Sequence, residues 1–105
     1  MLTQNQITAF RMATAAHNLG HHEEDATLDE ALCNEDEVVH TRDTAAAFIA
    51  SHGRPDQCEN YKSGDLLVWN KVQTRKGARR GDLYVMDFGD VRAAYFLARA
   101  DRPRS

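Results

Sequence analysis

The densest chemistry in the chain is a run of positive charge. Lys71, Arg75, Lys76, Arg79 and Arg80 place five cations within ten residues, around Gly77. The run lies between two β-rich segments, so it reads as the tip of a hairpin. A basic finger of this kind is a common device for gripping phosphate. These five side chains are the candidate nucleic-acid contacts. The other concentration of reactive residue types is His17, His21 and His22, followed by Glu23, Glu24 and Asp25. A four-residue step puts His17 and His21 on one side of a helix, as a metal site needs. Gly20 interrupts the helix between them, however, and no third ligand follows at a usable spacing. Cys33, His40, His52 and Cys58 match no standard zinc spacing. Neither a metal nor a cofactor is therefore expected. Gly-x-Ser-x-Gly, P-loop, Cys-x-x-Cys and His-Glu-x-x-His patterns are all missing. With no nucleophile and base at recognisable spacing, no catalytic residue is assigned, and the expectation is binding rather than catalysis.

The elements that must carry these residues fit one domain. A chain of 105 residues lies within the single-domain range. It can bury roughly 65% of its unfolded surface, enough for a core without staples. Hydrophobic residues at 42% and charged residues at 28% are ordinary globular usage and exclude a disordered composition. No apolar run approaches the ~20 residues of a membrane helix, and MLTQNQITAF lacks the pattern of a signal peptide. A cytoplasmic protein with no membrane partner is expected, its Cys33 and Cys58 reduced. The net charge of −3 conceals a polarity. Residues 1–43 hold two basic side chains against nine acidic ones, and residues 44–105 hold eleven against seven. The two halves attract different partners, or each other.

Three helices are predicted in the first half, residues 1–53. Thr3 and Gln6 form a capping box for a helix over 4–19, with Ile7, Phe10, Ala13 and Ala16 on one face and Gly20 as its stop. Thr27 and Glu30 repeat the box before a short helix over 28–34. Asp43 or Thr41 can cap a third helix, which Gly53 ends. Val38 and Val39 fit either a helix end or a short edge strand. Residues 54–64, with Pro55, Asn60, Ser63 and Gly64, read as a connector.

Residues 65–98 predict a three-stranded antiparallel meander from Leu66–Val72, Leu83–Phe88 and Val91–Leu97. Gly89-Asp90 suits a two-residue type II′ turn. That turn sets Phe88 opposite Val91, Asp87 opposite Arg92, Met86 opposite Ala93 and Tyr84 opposite Tyr95. The fold class expected is thus α+β, three N-terminal helices followed by a three-stranded meander. Both faces of this small sheet come out apolar and both need cover. Leu83, Val85, Ala94 and Phe96 form one of them, which makes them the candidate interface of a homodimer.

Three helices and then a hairpin resemble the order of a winged helix, in which the hairpin is the wing. The third helix, Thr44 to His52, is rich in alanine and offers few base-reading side chains. The run Gly81–Phe88 and then Val91–Phe96 is similar to the late strands of toxins of the RelE/ParE/HigB superfamily. That resemblance covers about 16 residues. It implies helices ahead of an antiparallel sheet, cleavage of ribosome-bound messenger RNA, and phosphate contacts at Arg92, Arg79 and Arg80. The reading of the whole chain is a small intracellular binding or regulatory module that acts through protein contacts as a homodimer. Nucleic-acid binding through 71–80 and a RelE/ParE-like ribonuclease toxin are its alternatives, and a small ligand held between sheet and helices is a further one.

Overall fold

The computed structural model of the protein describes residues 4–18, 26–33, 38–62, 64–73, 80–89 and 91–98. In chain order these form α1 (Gln4–Asn18), α2 (Leu28–Cys33), β1 (Val38–Thr41), α3 (Ala45–His52), β2 (Gln57–Tyr61), β3 (Gly64–Gln73), β4 (Arg80–Asp87) and β5 (Arg92–Ala98). The five strands make one antiparallel sheet in the order β1-β5-β4-β3-β2. The architecture is therefore a five-stranded antiparallel sheet with few, short helices, not three helices and a three-stranded meander. The two additional strands are its edges. β1 contains the two valines that also fit a helix end, and β2 lies inside the segment read as a connector.

β2 has the sequence QCENY and is mostly exposed. Its stability comes from the backbone ladder with β3, Gln57 opposite Val68 through Tyr61 opposite Gly64, rather than from buried side chains. Glu59 points its side chain onto one face of the sheet, half-buried. An inward-facing charge on an edge strand discourages pairing with another chain.

The central hairpin follows the register that Gly89-Asp90 sets. Asp87 stands opposite Arg92, Met86 opposite Ala93, Val85 opposite Ala94, Tyr84 opposite Tyr95 and Leu83 opposite Phe96. The Phe88 N–H donates to the Val91 carbonyl at 2.9 Å. Gly89 has φ 102°, the positive value that a Gly-first turn demands, and the Asp87 carboxylate accepts from its N–H at 2.9 Å.

Both faces are apolar and both are covered. On the first, Leu67, Trp69, Leu83, Val85, Ala94 and Phe96 meet Leu28, Ala31 and Leu32 of α2 and Phe48 of α3. On the second, Leu66, Val68, Tyr84, Met86 and Ala93 enclose Phe10 of α1. Leu83, Val85, Ala94 and Phe96 are at most 1% exposed. The patch expected to bind a second copy is thus the interior of the protomer. No partner can dock there while α2 and α3 stay in place.

Beyond the first core the sheet carries a polar row that crosses all five strands. Thr41, Arg92, Asp87, Asp65 and Asn60 are successive partners in the register. The Arg92 guanidinium donates to the carbonyls of Asp43 at 2.8 Å and Gly89 at 3.1 Å, and it lies 3.9 Å from the Asp87 carboxylate. Asn60 donates to Asp65 at 2.8 Å. The row offsets the repulsion of Asp65 and Asp87, which face each other directly.

Candidate functional site

The helix starts are fixed by side chains that the sequence places well. The Thr27 N–H donates to Glu30 Oε2 at 2.6 Å and the Glu30 N–H to Thr27 Oγ1 at 3.3 Å, the reciprocal capping box expected for α2. The Thr27 backbone N–H, then its hydroxyl, hold the Glu30 carboxyl below the usual carboxylate range, with Arg42 adding a smaller effect. Ala26 hydrogen-bonds to both sides of β1's end, its N–H to the His40 carbonyl and its carbonyl to the Arg42 N–H. Asp43 does not cap α3. Thr44 does, its Oγ1 accepting from the Ala47 N–H at 3.2 Å. Asp43 reaches instead across to α2, where its Oδ2 accepts the Leu28 N–H at 2.6 Å.

α3 is anchored to the sheet by Trp69. Phe48 stacks on the indole with ring centroids 6.1 Å apart. The indole N–H donates to the carbonyl of Gly53, the helix stop, at 2.9 Å. His52, in the last turn, leans on the same indole at 6.2 Å.

Between these elements opens a cleft of about 550 Å³, within the size range of small-molecule sites. Leu28 and Leu32 of α2 give it an apolar wall. Among the described residues, Thr27, Ser51 and Gln73 supply neutral polar groups, Asp29 and Asp43 charges, and His52 an imidazole. Burial pushes the His52 pKa down from its ordinary value, and the charge of Asp29 opposes that only in part. Its Nε2 is buried and has no hydrogen-bond partner among the described residues. A buried polar nitrogen without a partner is uncommon.

Two consequences of this geometry are measurable. Asp43→Ala should lower stability by about 1–2 kcal/mol, because the part-buried Leu28 N–H loses a charged acceptor. Asp43→Asn, which keeps an oxygen there, should lose less. Equal losses in urea denaturation would show that the bond contributes nothing. His52 has a folded pKa below its unfolded value near 6.5. The unfolded chain therefore binds more protons below that pH, and acidification through the window beneath 6.5 costs stability. The pH dependence of the melting temperature there should flatten in His52→Gln; an unchanged slope would exclude His52 as its source.

The residues expected to grip phosphate are placed as follows. Lys71 is exposed in a β-bulge of β3, between Trp69 and Val72, with φ 59°. The bulge is held by two carboxylates: the Asn70 N–H donates to Asp56 at 2.7 Å and the Lys71 N–H to Asp82 at 3.4 Å. Arg80 is exposed at the start of β4, opposite Gln73. Arg75, Lys76 and Arg79 lie outside the described residues, as do His21 and His22 and the side chain of His17. Arg92, implied as a phosphate contact by the toxin resemblance, is engaged inside the protein by Asp43, Gly89 and Asp87. Among the described residues no group of three or more His, Cys, Asp or Glu is arranged to hold a metal ion, and no helix is long and apolar enough to cross a membrane.

The cleft is absent from the sequence reading as a set of named residues. Asp43 registers there only as a cap and His52 only as a failed zinc ligand. Their convergence depends on β1 running beside β5, which carries α3 across the first face. No protein-family model matches the chain, and neither does any curated protein or solved structure.

Proposed function

We propose that this chain is a small binding module whose ligand site is the cleft between α2 and α3, and that it acts by contact rather than by making or breaking bonds. The observation that carries this reading is the cleft itself, which has both an apolar wall and polar groups. Thr27 and Ser51 bring hydroxyl groups to the cleft, and Leu28 and Leu32 offer apolar contact to the ligand. An NMR screen of small polar metabolites on the whole chain tests the reading. Ligands should shift the amide signals of Leu28, Ser51, His52 and Gln73 together. A broad screen at millimolar concentration that leaves all four unmoved would sink it.

A second reading, nucleic-acid binding through 71–80, is favoured by the exposure of Lys71 and Arg80 at the same end of the β3–β4 ladder. It predicts RNA or DNA binding that weakens steeply with salt and is lost in the double variant Arg79→Ala, Arg80→Ala. Failure to bind at low salt removes it.

A further inference from the structure

Resting on the second reading, nucleic-acid binding by the β3–β4 hairpin, we infer that the bulge in β3 aims Lys71 at a backbone phosphate and that Asp56 is the residue that positions it. Lys71 has φ 59°, the one positive value outside glycine among the described residues. That left-handed region is unfavourable for any residue with a Cβ. Packing accounts for the bulge itself. Trp69 and Val72 are both buried in the first core, and their partners are Leu83 and Gly81. One extra residue in β3 brings both side chains to the same face. Packing does not account for a lysine there, since glycine would take the same φ without strain. A cation kept in an unfavourable conformation is explained by a use for the cation.

The chain entering the bulge is clamped by Asp56, which lies between α3 and β2. Its N–H donates to the Val68 carbonyl at 2.7 Å, and its Oδ2 accepts the Asn70 N–H at 2.7 Å. Asp82, only 4% exposed, accepts the Lys71 N–H at 3.4 Å. These bonds fix the backbone, while Lys71 itself is exposed. Beyond the bulge the ladder resumes with Val72 opposite Gly81 and Gln73 opposite Arg80, and Arg80 is exposed as well. One end of the hairpin therefore presents a cation from each strand to a single polyanion. Asp56 is negative and would repel such a ligand, which separates the two roles it could have. If charge alone governs binding, its removal tightens the complex. If it positions Lys71, its removal weakens the complex.

The experiment measures fluorescence anisotropy of labelled mixed-sequence RNA and DNA oligonucleotides with the full chain, at salt from about 50 to 200 mM. Lys71→Gly should weaken binding about tenfold at the low-salt end and make the slope of log K against log salt shallower by about 0.7–0.9, the loss of one phosphate contact. Its melting temperature should hold or rise, since glycine takes φ 59° freely. Asp56→Ala should weaken binding too, although it removes a negative charge. In the Lys71→Gly background Asp56→Ala should weaken it no further, a coupling that a general loss of stability would not produce. Lys62→Ala, which removes an exposed lysine near the opposite end of β3, should have a much smaller effect. Binding that survives Lys71→Gly, falls equally with Lys62→Ala or tightens with Asp56→Ala overturns the inference and leaves the basic hairpin standing as a nucleic-acid contact. A lower melting temperature in Lys71→Gly also overturns it, since Lys71 would then serve the fold. If Asp56→Ala does not fold, Lys71→Gly decides alone. No binding of either nucleic acid by the unaltered chain at low salt removes the inference and the second reading together.

Discussion

Phe48→Ala should destabilise the chain by about 3–5 kcal/mol, the cost of emptying a fully buried phenyl site. Phe48 is 0% exposed and stacks on Trp69. α3 has only eight residues, too few for a helix to persist in water on its own. Its place on the sheet therefore depends on this ring and on the indole bond to Gly53. A domain of this size has about 5–15 kcal/mol in hand, so the loss removes a large share of it. Urea denaturation should show a lower midpoint with an unchanged slope. The same variant should also lose any binding that the proposed cleft site supports, because α3 carries Ser51 and His52 into the cleft. A loss under 1 kcal/mol would mean that α3 is held by something other than its buried face.

Gly64→Ala should be nearly as damaging, by about 2–3 kcal/mol, for a different reason. A methyl group at Gly64 would run into the backbone carbonyl oxygen of Asp87, well inside van der Waals contact, with the Asp87 carbonyl carbon and the Phe88 Cα close behind. The obstacle is backbone in a central strand, so it yields only if β3 and β4 separate. The melting temperature should fall by roughly 4–8 °C for each kcal/mol lost. Gly53→Ala provides the contrast. A methyl there meets nothing within 4 Å, and only the backbone, at φ 77° and ψ −164°, is unfavourable, a cost of about 1–3 kcal/mol. If Gly64→Ala is no worse than Gly53→Ala, the close approach of the two strands is not as tight as described.

What was legible in the residues follows from local chemistry. The Thr27–Glu30 capping box, the Gly53 stop and apolar spacing place α1, α2 and α3 within a residue or two of where they lie, whereas Thr3 and Gly20 lie outside the described residues. The Gly89 turn sets the whole β4–β5 register, because one hairpin turn fixes every pair behind it. Two-sided burial of the sheet also follows from the pattern. β2 was not legible. Gln57, Cys58, Glu59, Asn60 and Tyr61 show no alternation, since an exposed edge strand gains little from its side chains, and Pro55 and Asn60 argue for a loop. The pair Ser63-Gly64, which can mark a tight return, was the one available signal. The interface at Leu83, Val85, Ala94 and Phe96 failed through counting. Three strands and three helices leave a face bare on paper, whereas α2 and α3 together close it. The cleft was not legible at all, because Asp29, Asp43, His52 and Gln73 converge only through long-range strand pairing.

That strand pairing also sets an order of events for a chain made from its N-terminus. β2, β3, β4 and β5 are each joined to the next in sequence, so they can zip together hairpin by hairpin at small entropic cost. Among the described residues β1 has a single partner in the sheet ladder, β5, the last of the described strands. Val38 must therefore wait for Tyr95, and Leu28, Leu32 and Phe10 wait with it for the surfaces that bury them. During translation the first third of the chain is a passenger, committed to a sheet that does not yet exist. Its local links, from Ala26 to β1 and from Asp43 to Leu28, can form early; burial of its apolar faces follows once β5 is in place.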